Sequence, residues 1–222
     1  QKLVIAISSR ALFDLDESHK IYKEKGVKAY AKHQEENENV ILEPGVGFSL
    51  VKKLLALNST KTPIDVILLS RNSADTGLRI FNSIEHYDLN ITRAAFTRGE
   101  STQPFVGAFE ADLFLSSNYK DVQKALESGY AAASILGSST LNNSKTQLRI
   151  AFDGDAVIFS DEAEKIFQEK GLEAFAKSEN ISANVELKAG PFKCFLESLQ
   201  KIQSAFPEEN NPIRTALVTA RS

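Results

Sequence analysis

Short runs of apolar residues alternate along the chain with longer stretches whose apolar positions recur at helical spacing. Lys2 to Ile7 and Gln147 to Phe152 are β-rich runs. Each is followed by a helical stretch, in the second case with Ile166, Phe167, Leu172 and Phe175 on one face. A Gly-containing break, "EPGVG" or "KAGPF", precedes another predicted helix, Phe48 to Leu57 or Phe192 to Phe206. Continuous apolar strands follow at Val66 to Leu69 and Ala216 to Val218. After the first of them the pattern predicts a helix near Ala74 to Ile84, a strand near Asp112 to Leu115 and a helix over Tyr119 to Glu127. Next comes the apolar "YAAASIL". Strands that are continuously apolar belong to a parallel sheet buried on both faces. Strands alternating with helices imply an α/β layered fold.

The pattern starts twice. "DESHKIYKEKGVKAYAK" (Asp16 to Lys32) and "DEAEKIFQEKGLEAFAK" (Asp161 to Lys177) share 10 identities in 17 positions. The offset of 145 holds without a gap from Ile5/Ile150 to Leu57/Ile202. A slightly longer loop then shifts it by four, so that "PIDVILLSRNS" (Pro63 to Ser73) lies over "PIRTALVTARS" (Pro212 to Ser222). The chain therefore reads as a tandem duplication. Residues 1–146 form one copy, 147–222 the first half of another, and the polar "GSSTLNNSKTQ" is the junction.

Composition narrows the class. Hydrophobic residues at 42% and charged residues at 25% are ordinary for a soluble globular protein. A net charge of -3 and a pI near 5.7 argue against a nucleic-acid partner, which calls for a basic face. There is no signal-peptide pattern and no apolar run near 18 residues, so no membrane span is expected. The one cysteine, Cys194, excludes an intrachain disulfide, fits a cytoplasmic location and is expected to be a buried small hydrophobe. Methionine is absent where about five would be usual, and the string begins without an initiator. A piece of a longer polypeptide is expected.

Alignment of the copies decides which carboxylates matter. "IAISSRALFDLDE" (Ile5 to Glu17) lies over "IAFDGDAVIFSDE" (Ile150 to Glu162), so Asp153 and Asp155 correspond to Ser8 and Arg10. The more conspicuous pair, Asp14 and Asp16, matches Phe159 and Asp161, and Asp16 is expected to start a helix, where acids favour the positive dipole end. Asp153 instead follows a strand directly, where open α/β sheets bind ligands. An aspartate there can attack phosphorus. An acid two residues on can protonate the leaving oxygen and then activate water. Two carboxylates plus substrate phosphate oxygens suit Mg²⁺. Gly154 permits close backbone approach, and Thr219 with the backbone at Ala220 ends the next strand where a phosphate oxygen can be held.

"DGDAVIFSD" with "LVTAR" resembles the first two motifs of the haloacid dehalogenase superfamily. "SSRALF", "FNSIEHYDL", "AFDGDAVIFSDEAE" and "PIRTALVTARS" narrow the resemblance to the cytosolic 5′-nucleotidase type I family and its bacterial relatives, over essentially the whole chain. The resemblance implies a Rossmann-like parallel sheet with flanking helices. It also implies Mg²⁺-dependent hydrolysis of nucleoside 5′-monophosphates such as AMP through a phospho-aspartate. By motif position Asp153 would be the nucleophile, Asp155 the acid/base and Thr219 the phosphate-binding hydroxyl, with Asp153 and Asp155 as metal ligands. The superfamily's motif-three lysine and motif-four acid pair should follow "LVTARS". In the first copy Ser116 and Ser117 stand near where the acids would be, and no lysine lies between Arg98 and Asn118. That copy is expected to be non-catalytic, with packing its main role and a nucleotide effector near Ser8, Arg10, Ser70 and Asn72 the alternative. A phosphatase for another ester, a nucleotide-binding scaffold and a homo-oligomer also stay open.

Overall fold

The computed structural model describes residues 2–59, 61–136, 147–153 and 191–218. Strand β1 (Leu3–Ser8) is apolar at every position but the last and lies at the centre of a five-stranded sheet. β2 (Ile64–Ser70) is buried at all seven positions and flanks it on one side. β3 (Arg93–Phe96) continues beyond β2. On the other side of β1 lie β4 (Leu113–Ser116) and β5 (Ala132–Ser134). The order is β3-β2-β1-β4-β5 and every pairing is parallel. The chain builds outward from β1 in one direction, then returns to build in the other, which puts a topological switch point between β1 and β4.

The pleat sorts β1 into two cores. Leu3, Ile5 and Ile7 face a cluster with Phe48, Val51 and Leu54 of α3 (Phe48–Ala56) and Ile80 and Ile84 of α4 (Leu78–His86). Val4 and Ala6 face a smaller cluster with Val106 of α5 (Gln103–Ala108) and Val122 and Ala125 of α6 (Tyr119–Glu127). Alternating residues of one strand thus bury against helices on both faces, as the continuous apolar run requires. Two further helices precede α3. α1 (Ser9–Leu12) follows β1 at once, and α2 (Asp16–Glu36) is broken at Gly26, whose φ of 78° no helix accommodates.

A second, two-stranded parallel sheet pairs β6 (Leu148–Asp153) with β7 (Ile213–Val218), and α7 (Lys193–Ser204) precedes β7. Among the described residues, its apolar side chains share a core with the first sheet. Leu148, Phe152, Phe195, Leu199, Ile202 and Ile213 belong to the same cluster as Ile5, Ile7 and α3. The two strand pairs also share a register. Leu3 faces Ile64 and Ser8 faces Leu69, while Leu148 faces Ile213 and Asp153 faces Val218. Offsets of 145 in the first strand and 149 in the second carry one pair onto the other, as the sequence alignment requires.

The α/β class and the parallel sheet are as expected, and α6 has the expected limits. The helix expected near Ala74 to Ile84 opens instead as a 3₁₀ turn, Asp75–Gly77, before α4. β3 and α5 are too short to give a periodic signal. Cys194 is exposed, not buried, because the buried stripe of α7 runs through Phe195, Ser198, Leu199 and Ile202 and leaves residue 194 off it. "EPGVG" is a close-packed turn before α3. A Cβ on Gly45 would come within 2.8 Å of the backbone of Ala11 and Phe13. Gly45 and Gly47 donate N–H bonds to the carbonyls of Leu12 and Ala11 at 2.9 and 2.7 Å.

Candidate active site

Asp153 is the last residue of β6, and the residue across from it, Val218, is the last of β7. Both strands run the same way, so the chain leaves both at one carboxyl edge. Residues 154 and 219 are the next in each. The backbone therefore sets Asp153 beside the strand end that precedes Thr219. Gly154, Asp155, Thr219 and Ala220 themselves lie outside the described residues. So does the helical stretch expected over Asp161 to Lys177.

The same edge of the larger sheet is described in side-chain detail. β1, β2 and β4 end in Ser8, Ser70 and Ser116. Ser9 Oγ and Ser70 Oγ are 3.0 Å apart in a buried hydroxyl pair. Ser70 Oγ accepts from the Asn72 N–H at 3.2 Å, and Ser116 Oγ accepts from the Asn118 N–H at 3.1 Å. These two Ser-x-Asn turns end neighbouring strands on either side of β1. A cleft of about 570 Å³ opens over the three strand ends, lined by Arg10, Arg71, Arg98, Asn72 and Thr102 and walled by Tyr22 and Tyr30 of α2. That size suits a small-molecule site. Against the three arginines the cleft sets one acid, Asp121, and Arg71 is paired with it.

Polar bonds hold this edge together. The loop after β3 is clipped to the loop after β2 by N–H bonds from Thr97, Arg98 and Gly99 to the carbonyls of Ser70, Asn72 and Arg71 at 2.9, 3.1 and 2.7 Å. Arg98 (φ 50°) and Gly99 (φ 92°) both take left-handed backbone there. The Tyr30 hydroxyl donates to Asn72 Oδ1 at 2.8 Å and accepts from Gln34 Nε2 at 3.2 Å. Burial raises the Tyr30 pKa above that of a free phenol, so the hydroxyl keeps its proton and remains a donor. Burial, helped by the charges of Arg10 and Lys23, lowers the pKa of His19. The positive charge of the cleft is therefore arginine charge.

The Asp14–Asp16 pair starts a helix. Asp14 Oδ1 accepts the Asp16 N–H at 2.9 Å, Asp16 opens α2, and its carboxylate meets Arg10 Nη2 at 3.1 Å in an exposed pair. Ser8, Arg10, Ser70 and Asn72, grouped from the alignment alone, do line or border one cleft. Sequence reasoning missed Tyr30, Arg98 and Thr102. The available signal was the repeat of Ser-x-Asn in "SRN" and "SSN", which marks two equivalent strand ends.

The 5′-nucleotidase family profile matches residues 1–222. Human cytosolic 5′-nucleotidase 1B is 39% identical over 233 aligned positions, which take in 99% of this chain and 38% of that protein. The chain thus spans well under half the length of this relative. No solved structure gives a significant match. Among the described residues no helix is long and apolar enough to cross a membrane. With the profile covering residues 1–222 and 99% of the chain aligned to a 39% identical relative, the chain belongs to the 5′-nucleotidase family.

Proposed function

We propose that the protein is a cytosolic, Mg²⁺-dependent 5′-nucleotidase that hydrolyses nucleoside 5′-monophosphates to nucleoside and phosphate. The supporting observation is the position of Asp153 at the carboxyl edge of β6, level with the end of β7, in a chain of the 5′-nucleotidase family. The equal registers of β1–β2 and β6–β7 favour a tandem duplicated, haloacid dehalogenase-like architecture. Its copies are residues 1–146 and 147–222.

In this mechanism a carboxylate oxygen of Asp153 attacks phosphorus and the bond to the 5′ oxygen breaks. Asp155 gives its proton to that oxygen, so the nucleoside leaves neutral. Water then attacks phosphorus of the phospho-aspartate, Asp155 takes the water proton, and Asp153 is regenerated as phosphate leaves. Thr219 and the backbone at Gly154 and Ala220 hold phosphoryl oxygens. Acidic residues separated by one position offer hard oxygen donors that fit Mg²⁺, and the Asp153 carboxylate with an oxygen of Asp155 would hold it. When bound, the ion offsets the charge of the phosphoryl group.

The test is phosphate release from AMP by the full-length protein. Asp153→Asn removes the nucleophile with little change in shape and should reduce turnover to background, while wild-type turnover in that variant would remove the assignment. A panel of other phosphate monoesters sets the substrate class, and faster release from a non-nucleotide ester would replace the nucleotide reading.

A further inference from the structure

We infer that the cleft at the carboxyl edge of the five-stranded sheet is a second, non-hydrolytic site that binds a nucleoside 5′-phosphate by its phosphate group without a metal. Five buried side-chain polar atoms among the described residues have no hydrogen-bond partner. Three of them, Ser8 Oγ, Asn72 Nδ2 and Thr102 Oγ1, belong to residues lining this one cleft. Thr102 is only 2% exposed, so water in bulk does not serve it. Buried polar atoms are normally bonded, and three orphans around one cavity point to a polar ligand.

The orientation of one of these donors is fixed from a distance. Arg79 is buried and can only donate, and its Nη1 bonds Gln34 Oε1 at 3.2 Å. That bond turns Gln34 Nε2 toward the Tyr30 hydroxyl, at 3.2 Å. Tyr30 in turn donates to Asn72 Oδ1 at 2.8 Å, which leaves Asn72 Nδ2 as the unused end of the chain. A relay that begins at a guanidinium and ends at the cleft presents a preset donor to an acceptor-rich ligand. Arg71 is paired with Asp121 and Arg10 with the exposed Asp16, and Arg98 adds a third guanidinium, so the cleft keeps an excess of positive charge and the ligand is an anion. Arginine and amide donors in one cavity match phosphate oxygens.

Alignment explains why this site binds without turnover. Where the second copy has Asp153 and Asp155, the first has Ser8 and Arg10. A carboxylate pair needs a cation before a phosphate can approach. A serine and an arginine need none, because the arginine supplies the positive charge. Arg10 cannot accept a proton. Ser8 Oγ has no base bonded to it among the described residues, so the phosphate meets no activated nucleophile. The nucleoside end has a surface too. Tyr22 and Val27 border the cleft and are 47% and 65% exposed, and the Tyr22 ring lies parallel to His19 with centroids 6.2 Å apart. Such a ring can take a base by stacking.

The test is hydrogen–deuterium exchange of the full-length protein in EDTA, with AMP, inorganic phosphate or adenosine. AMP should slow exchange in 70–73 and 97–103, phosphate should slow the same segments less, and adenosine at equal concentration should not. Arg10→Gln with Arg98→Gln should weaken the AMP effect at least tenfold, and the isosteric Thr102→Val should weaken it with unchanged exchange in β1 and β2. No slowing in these segments at saturating AMP overturns the proposal, as does equal slowing by adenosine or an unchanged midpoint in the variants. The readout is independent of hydrolysis, so it stands or falls separately from the role of Asp153.

Discussion

Leu199→Ala tests whether the second strand pair and the first sheet are one folding unit. Leu199 is 1% exposed on the inner face of α7, in the cluster that also holds Ile5, Ile7 and Leu54. Truncating a buried leucine removes its transfer free energy and leaves a cavity, at a cost of about 2–5 kcal/mol. The upper half of that range applies if the cavity cannot collapse, and here Leu199 shares one buried cluster with residues of α3, β1 and its own strands. If α7 and β1 unfold together, amides of Ile5 to Ile7 exchange only through the shared opening. At about 1.4 kcal/mol per tenfold, their exchange should then accelerate by about thirty- to several-thousand-fold. Native-state hydrogen exchange on wild type and variant measures this directly. Faster exchange confined to α7 and β7, with Ile5 to Ile7 unchanged, would refute the single core.

Further outcomes are expected elsewhere. Gly45→Ala should destabilise by about 1–3 kcal/mol in a denaturant titration, because its Cβ would meet backbone atoms of Ala11 and Phe13 that cannot step aside. Asp112 accepts the Val4 N–H at 2.9 Å, and its pKa is raised by burial, partly countered by that bond. The folded state therefore binds its proton more readily than the unfolded state, and the wild-type contribution improves as pH falls through the carboxylate range. Asp112→Asn keeps an acceptor and loses the charge, so its stability gain should be largest at neutral pH and shrink on acidification, as thermal melts across pH will record. Asp14→Asn keeps the turn acceptor for the Asp16 N–H and should leave AMP turnover unchanged, and a loss comparable to that of Asp153→Asn would move the active site to the first copy.

Much of the architecture was legible because it depends on local pattern. β1 and β2 are continuous apolar runs, and a strand buried on both faces cannot be written otherwise. The repeat located Asp153 through register, since an offset of 145 that aligns Leu148 with Leu3 also aligns Asp153 with Ser8. Cys194 was misplaced because helix phase, not residue type, decides burial, and the stripe of α7 falls on its neighbours. The Arg79–Gln34–Tyr30–Asn72 relay was invisible because its bonded pairs are 4 to 45 positions apart and meet only once α2 crosses the strand ends. Thr102 carries no signal at all until the fold encloses it.

The most direct measurement is acid quenching of the full-length protein during turnover of AMP labelled at phosphorus, followed by peptide mapping. Label retained on the peptide that contains Asp153, and absent in Asp153→Asn, is the predicted result. Label on another residue, or turnover that persists in Asp153→Asn, would contradict it.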